Sequence, residues 1–269
     1  MSHQFRNVND DDALLRLTEW MRAHEGMAIA FSGGMDSSVL LAAAQRAVPE
    51  GFKAFFVDLP YISDRQRREA LETAEKMGVD LTVIPTARME FSAVHRNDRG
   101  RCYHCKALIF DAIAEAMDAE GLNHIVDGEN SADKTDTRPG RVAARERGVL
   151  SPMADLSIGR EDVERIVKDL GLPVRMSKET CLATRLEADA PWDEDMLRNV
   201  EKAEEFLHDI GISQSRVRVH GQDARIEVPP EDMPLVTEMS RKVHTRLREL
   251  GFRHVSLDLK GYRTGSMWE

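Results

Sequence analysis

Leu14, Leu17 and Met21 recur at helical spacing, so the segment from about 10 to 24 reads as an amphipathic helix with one apolar face. The pattern then changes period. Residues 27–31 form a short unbroken apolar run that stops at Ser32-Gly33-Gly34, as expected of a strand buried on both faces. A helix is expected over 37–47, a second strand over 53–59, and a helix over 63–77 that Ser63 and Gln66 open as a capping box. A third strand follows at 80–84, a helix at 102–119, a short strand at 124–126 ending at Asp127-Gly128, and a helix at 160–170. Strands alternating with helices predict an α/β fold, a doubly wound parallel sheet covered on both faces. Ligands of such sheets bind beyond the carboxyl ends of the strands. The Gly33-Gly34 and Asp127-Gly128 turns both fall at such ends.

After about residue 185 the rhythm differs. A helix at 193–210, strands at 216–219 and 224–228 around a turn, a helix at 230–250 and a strand at 254–259 give an α-β-β-α-β order. That order predicts a smaller C-terminal α+β domain. The aperiodic stretch at 187–191 places the boundary, with residues 1–188 binding the nucleotide and 189–269 serving substrate binding and oligomerisation.

The 269 residues suffice for two such domains, and 42% hydrophobic with 31% charged residues is a globular composition. No apolar run approaches the roughly 20 residues of a membrane helix. The N-terminus lacks an apolar signal core, so a cytoplasmic protein without a membrane partner is expected. A net charge of −10 argues against a nucleic-acid partner, because phosphate backbones demand a basic face. A small anionic substrate held by a few arginines fits better.

The loop Ser32-Gly33-Gly34-Met35-Asp36-Ser37-Ser38 lies between a strand and a helix. Its glycines let backbone N–H groups approach phosphate oxygens, and the helix N-terminus adds positive potential. Ser32, Ser37 and Ser38 carry hydroxyl donors. Asp36 would repel phosphate by itself, so its expected role is to hold a bridging Mg²⁺. The Gly-Lys-Thr ending of a Walker loop is missing. The bland alternative is a tight turn with a helix cap. The loop resembles the SGGxDS signature of PP-loop (N-type) ATP pyrophosphatases. That resemblance implies ATP as cofactor, cleaved between its α and β phosphates to activate an oxygen as an adenylate.

The chain has three cysteines. Cys102 and Cys105 form a CxxC pair at the start of a helix, with Arg101 and Lys106 favouring thiolates. Cys181 stands alone in Thr180-Cys181-Leu182-Ala183-Thr184-Arg185. Three soft ligands allow zinc, completed by His104, His95 or water, or a [4Fe–4S] cluster with one open iron. A redox pair plus an unrelated thiol is the third reading.

Together the motifs resemble the LarE family of ATP-dependent sulfur transferases along nearly the whole chain. They are SGGMDSS at 32–38, RCYHCK at 101–106, DGEN at 127–130, RPG at 138–140, GVLSPM at 148–153, CLATR at 181–185, and RVRVHG with ARIEVP across 216–229. The resemblance implies a small nucleotide substrate, pyridinium-3,5-biscarboxylic acid mononucleotide. Its carboxylates are adenylylated and take up sulfur on the way to the nickel-pincer cofactor. One branch of the family sacrifices the sulfur of the CLxxR cysteine. In another, that cysteine and a CxxC pair hold a [4Fe–4S] cluster that relays sulfide, and this chain resembles the latter. By the same resemblance, Asp127 and Gly128 join the ATP loop, and Cys181, Asp36 and Arg185 act at the reaction centre. Arg216 and Arg218 hold the substrate phosphate, and Glu204 and Glu227 hold a metal. Sulfide or a sulfur-donor protein is the expected partner, and a homo-oligomer, a hexamer, the expected assembly.

Some features have plainer readings. Arg216 and Arg218 alternate along a strand and so share a face, which a solvated strand would also show. Glu204 could be a surface carboxylate. Trp192 and Trp268 read as packing residues. Where relatives carry Pro-Tyr-Gly after CLxxR, this chain has Leu186-Glu187-Ala188-Asp189-Ala190-Pro191, and the approach to Cys181 at 174–178 also departs from the family pattern. A PP-loop tRNA thiolation enzyme, a zinc-containing synthetase and a non-catalytic nucleotide sensor are the alternatives.

Overall fold

A computed structural model of the chain describes residues 12–87, 89–131, 138–174 and 180–263. Trp268 and the stretch 175–178 lie outside the described residues. The chain forms two compact units. Met1–Leu59, Asp64–Met89 and Cys102–Glu179 make the first, and Pro60–Ser63, Glu90–Arg101 and Thr180–Glu269 the second.

The first unit is built on a parallel sheet of β1 (Met27–Ala30), β2 (Phe52–Asp58), β3 (Leu81–Pro85) and β4 (His124–Val126), in the order β3-β2-β1-β4. This is the expected α/β arrangement. β1 is central, and Met27, Ala28 and Ile29 are fully buried, which is why its sequence is apolar without alternation. β3 is the edge strand, and its Thr82 and Val83 are exposed.

Parallel strands need long crossovers, and helices supply them. Helix α1 (Asp12–Arg22) buries Ala13, Leu17 and Met21, spaced by four, while Leu14 is only half-buried. It packs on α2 (Met35–Ala47), which buries Met35 and every residue from Ser37 to Ala44. A helix apolar nearly all round belongs in an interior, and α2 fills that place between β1 and its neighbours. Helices α3 (Asp64–Lys76), α4 (Ser92–His95, in the second unit) and α5 (Arg101–Ala119) follow in the chain. Two short helices not anticipated from periodicity, α6 (Pro139–Glu146) and α7 (Pro152–Asp155), each start with proline in the first turn, where a missing N–H costs nothing. Helix α8 (Arg160–Leu170) packs on α2 and ends at Gly171 in the left-handed conformation.

In the second unit, α9 (Glu194–Asp209) precedes a mixed sheet of β5 (Arg216–His220), β6 (Asp223–Glu227) and β7 (His254–Leu257). β5 and β6 are antiparallel, and β6 and β7 parallel. The helix expected over 230–250 is broken into a 3₁₀ turn at Pro230–Asp232, α10 (Met233–Glu238) and α11 (Ser240–Glu249). Pro230 and Pro234 lack the N–H groups a continuous helix would use there.

This unit begins at Thr180, ahead of the expected boundary after 188, and takes in residues 60–63 and 90–101. Hydrogen bonds account for it. The stretch from 182 to 192 has no periodicity because it is held residue by residue. Leu182 N–H donates to Tyr61 O at 2.8 Å, Trp192 N–H to His95 O at 3.3 Å, and the Trp192 ring N–H to Val94 O at 3.2 Å. Trp192 is buried and packs edge-on to Tyr61 and His95, as its packing role predicts.

Candidate active site

Two loops at the carboxyl ends of β1 and β4 lie at one end of the parallel sheet. β1 pairs directly with β4, so the turns after them lie side by side. Gly33 has φ +79°, and a Cβ there would stand 2.7 Å from Ala70 Cα on α3. Both facts select glycine. Gly34 is the extended N-cap of α2 and makes no side-chain cap, so the positive end of a 13-residue helix dipole stands at the loop.

The serines divide their labour. Ser37 Oγ donates to Gly34 O at 3.1 Å and accepts from Ser32 N–H at 3.3 Å, and it stands 3.3 Å from Ser32 Oγ. Ser38 is fully buried, and both its N–H and its hydroxyl donate to Gly34 O, at 3.0 and 2.9 Å. Ser38 therefore shapes the loop, whereas Ser32 and Ser37 line it.

Asp36 sits in the first turn of α2, and Asn130 donates its amide to Asp36 Oδ1 at 2.9 Å. Asp127 is 2% exposed. Its Oδ1 accepts from Glu129 N–H at 3.1 Å and Ser151 Oγ at 2.8 Å, and its Oδ2 lies 3.5 Å from Lys106 Nζ. Gly128 follows, pressed against the backbone of Asp36 and Ser37. Asn130, Ser151 and Lys106 stand inside the sequence motifs, but nothing in the sequence assigns them these tasks. Their only signal is membership of DGEN, GVLSPM and RCYHCK. Cys102 and Cys105 stand near the N-terminus of α5, three residues apart and so on one helix face. Cys102 is exposed and Cys105 half-buried.

In the second unit, Cys181 is the extended N-cap of a 3₁₀ turn, Leu182–Arg185. Its carbonyl accepts from Thr184 N–H, Thr184 Oγ1 and Arg185 Nη1 at 3.0, 2.7 and 3.1 Å. Arg185 is 1% exposed. Its Nη1 also donates to Thr180 O and Thr180 Oγ1, both at 2.7 Å, and its other edge forms a two-point pair with Glu204, both contacts at 3.0 Å. Glu204 also accepts from Val217 N–H at 2.9 Å. Glu204, expected as a metal ligand, is thus the anchor of Arg185. Arg185 in turn shapes the backbone around Cys181.

Arg216, Arg218, Arg225 and Glu227 share one face of the β5–β6 pair, with Val217, Val219, Ala224 and Ile226 on the other. Both expected phosphate arginines are buried rather than solvated. Arg218 donates to Glu227 Oε2 and Thr184 O, each at 3.0 Å, and Arg225 to Glu227 Oε1 at 3.1 Å. Arg216 donates to Ser215 O at 2.7 Å and stacks 5.4 Å from the Tyr262 ring. Glu227, fully buried between two guanidiniums, serves as their counter-charge. Among the described residues, no group of three or more His, Cys, Asp or Glu side chains is placed to hold a metal ion. No helix among them is long and apolar enough to cross a membrane.

Residues 16–99 match the asparagine synthase family, whose ATP-using domain is of the PP-loop type. An uncharacterized protein from Synechocystis sp. is 33% identical over 89% of this chain and 90% of its own length. An uncharacterized protein from Methanocaldococcus jannaschii is 32% identical over 88% of this chain and 90% of its own. The pyridinium-3,5-bisthiocarboxylic acid mononucleotide synthase of Lactiplantibacillus plantarum is 27% identical over 90% of this chain and 88% of its own. The chain thus carries a PP-loop ATP-using domain and is similar along nearly its whole length to a LarE protein. Its LarE-type likeness spans both units, and the PP-loop match falls on β1, α2, β2, α3 and β3, the elements that carry the glycine-rich loop.

Proposed function

We propose that the protein is an ATP-dependent, AMP- and pyrophosphate-forming sulfur transferase acting on pyridinium-3,5-biscarboxylic acid mononucleotide. The observation that carries this reading is the similarity to the pyridinium-3,5-bisthiocarboxylic acid mononucleotide synthase over 90% of the chain, joined to a glycine-rich loop at the N-terminus of α2. A carboxylate is a poor electrophile, and adenylylation gives it a leaving group. A substrate carboxylate oxygen attacks the α-phosphorus of ATP, the bond to the bridging α–β oxygen breaks, and pyrophosphate leaves. A sulfur nucleophile then attacks the acyl carbon and expels AMP. Two carboxylates require two such rounds.

The residues divide accordingly. The α2 N-terminus, Gly33, Gly34, Ser32 and Ser37 cradle the phosphates, and Asp36, oriented by Asn130, fits a bridging Mg²⁺. Arg216 and Arg218 take the substrate phosphate, a guanidinium presenting five donors in a planar fork. Cys181 belongs to the sulfur step, held by Arg185. The three thiols form a donor set suited to soft metals, and a [4Fe–4S] cluster on Cys102, Cys105 and Cys181 would supply a reusable site for sulfide. Among the described residues no assembled ligand group speaks for that cluster, and no step above depends on it. Cytoplasmic location, a hexameric assembly and a sulfide or protein sulfur donor remain part of this reading.

The test is anaerobic purification followed by incubation with ATP, Mg²⁺ and the biscarboxylate mononucleotide. Pyrophosphate release and a product mass showing oxygen replaced by sulfur are expected. Pyrophosphate without sulfur incorporation in the presence of sulfide would refute the transferase reading. Iron and acid-labile sulfide analysis of the same sample decides the cluster.

A further inference from the structure

The Cys181 segment is gripped from a second side, by a short excursion of the chain far away in sequence. Asn97 is fully buried and adopts φ +55°, a conformation asparagine tolerates better than other non-glycine residues. Each of its polar groups is employed. Its side-chain amide donates to Glu187 O at 2.7 Å, and its carbonyl accepts from Asp189 N–H at 3.1 Å. Its Oδ1 accepts from Arg101 Nη1, and that same nitrogen donates to Ala183 O at 3.2 Å. Arg101 is itself 5% exposed. One buried asparagine and one buried arginine thus fix the carbonyls of Ala183 and Glu187, on the carboxyl side of Cys181. Arg185, anchored by Glu204, fixes the carbonyls of Thr180 and of Cys181 itself.

A surface loop needing only to be ordered would use turns and water. A desolvated guanidinium aimed at a backbone carbonyl is costly to bury, and its geometry must be good to offset the desolvation. Such expense is consistent with a sulfur atom that must meet its target within a fraction of an ångström, since a misplacement of about 1 Å can lower a rate by roughly a hundredfold. We propose that Asn97 and Arg101 are positioning residues for the sulfur step: they act through the backbone of the Cys181 segment and touch neither ATP nor substrate. This inference rests on the sulfur-transfer reading. Adenylylation draws on the glycine-rich loop and the substrate-phosphate arginines, none of which Asn97 hydrogen-bonds, so the two half-reactions should separate.

The test uses the full chain with Asn97→Gly and Asn97→Asp. Glycine keeps the left-handed backbone and deletes the amide. Aspartate keeps the backbone and the oxygen that holds Arg101. Single-turnover sulfur incorporation should fall about tenfold or more in Asn97→Gly and by a smaller factor in Asn97→Asp, which keeps the Arg101 contact but loses the donor to Glu187 O. Pyrophosphate formation should stay within about twofold of wild type in both. Hydrogen exchange, read on peptides, should rise in Asn97→Gly over residues 180–187 and stay unchanged over β5 and β6. Unchanged sulfur incorporation in Asn97→Gly would overturn the proposal. So would an equal fall in pyrophosphate formation, or faster exchange spread across the whole second unit, because each marks a general structural role. A wild-type chain that transfers no sulfur, yet shows the stated exchange pattern, would sink the sulfur-transfer reading and leave the clamp itself in place.

Discussion

Gly128 lies directly against the amide of Ser37: a Cβ at position 128 would stand 3.0 Å from Ser37 N and 3.2 Å from Asp36 C. The two turns at the ends of β1 and β4 are therefore packed backbone to backbone, and the glycine-rich loop is shaped from both sides. Gly128→Ala should push the loop off its phosphate-binding shape while sparing the sheet. The expected outcome is weakening of ATP binding by on the order of tenfold or more in a calorimetric titration, with thermal unfolding lowered only slightly. Retained ATP affinity would show that the close packing of the two turns is irrelevant to the nucleotide.

Gly33→Ala should be harsher. The left-handed conformation costs an L-residue roughly 1–2 kcal/mol, and the added methyl group meets the Cα of Ala70 at 2.7 Å, a backbone atom that cannot swing aside. Loss of ATP binding together with a lower unfolding midpoint is expected in denaturant titrations. A variant as stable as the parent would show that α3 can retreat without cost.

Asp36 presents a carboxylate at the N-terminus of α2 with one oxygen already held by Asn130. If it anchors the metal that bridges the phosphates, Asp36→Ala removes several kcal/mol of charge stabilisation, or roughly a hundredfold or more in pyrophosphate formation. Asn130→Ala leaves the carboxylate but not its orientation, so a smaller loss, on the order of tenfold, is expected. Measuring both rates against Mg²⁺ concentration checks the assignment. Equal losses, insensitive to Mg²⁺, would argue that Asp36 only caps the helix.

These residues show what the sequence discloses and where it stops. The strand-loop-helix of β1 and α2 was legible because an apolar run, two glycines and a helical pattern follow in order, and local physics suffices. The α-β-β-α-β order of the second unit was legible for the same reason. The stretch from 182 to 192 was not, because its conformation comes from partners such as Tyr61, Val94 and Asn97, distant in sequence and without periodic signature. The arginine pairing of Glu204 and Glu227 was not legible, because a carboxylate looks the same in sequence whether it faces a cation or a buried arginine. Only the pairing with Arg185 and with Arg218 and Arg225 tells them apart. The break of the 230–250 helix, by contrast, could have been found from Pro234.

The Arg185–Glu204 pair gives a stability prediction. Both side chains are largely withdrawn from water, so removing one leaves the other as a buried, uncompensated charge. Breaking such a pair costs about 3–5 kcal/mol. Glu204→Leu should destabilise the protein by that order in urea unfolding. Glu204→Gln, which keeps acceptor geometry but not charge, should cost less. A Glu204→Leu variant of undiminished stability would mean that the guanidinium finds water or another partner at no loss.

Cys181→Ala separates the two halves of the proposed chemistry. The thiol belongs to the second unit and makes up no part of the glycine-rich loop of the first. The carbonyl of residue 181, which Thr184 and Arg185 hold, survives the substitution because it is backbone. The variant should therefore fold, bind ATP and release pyrophosphate with the substrate present, while sulfur incorporation drops below detection. Accumulation of an acyl adenylate, trapped with hydroxylamine, should accompany that loss. Mass analysis of the wild-type protein after turnover then tells the routes apart. A loss of one sulfur at residue 181 marks a cysteine consumed as donor, whereas an intact residue 181 after several turnovers marks a sulfur delivered from elsewhere. If Cys181→Ala still transfers sulfur at the wild-type rate, Cys181 has no part in the step and the sulfur must come through Cys102, Cys105 or a free nucleophile.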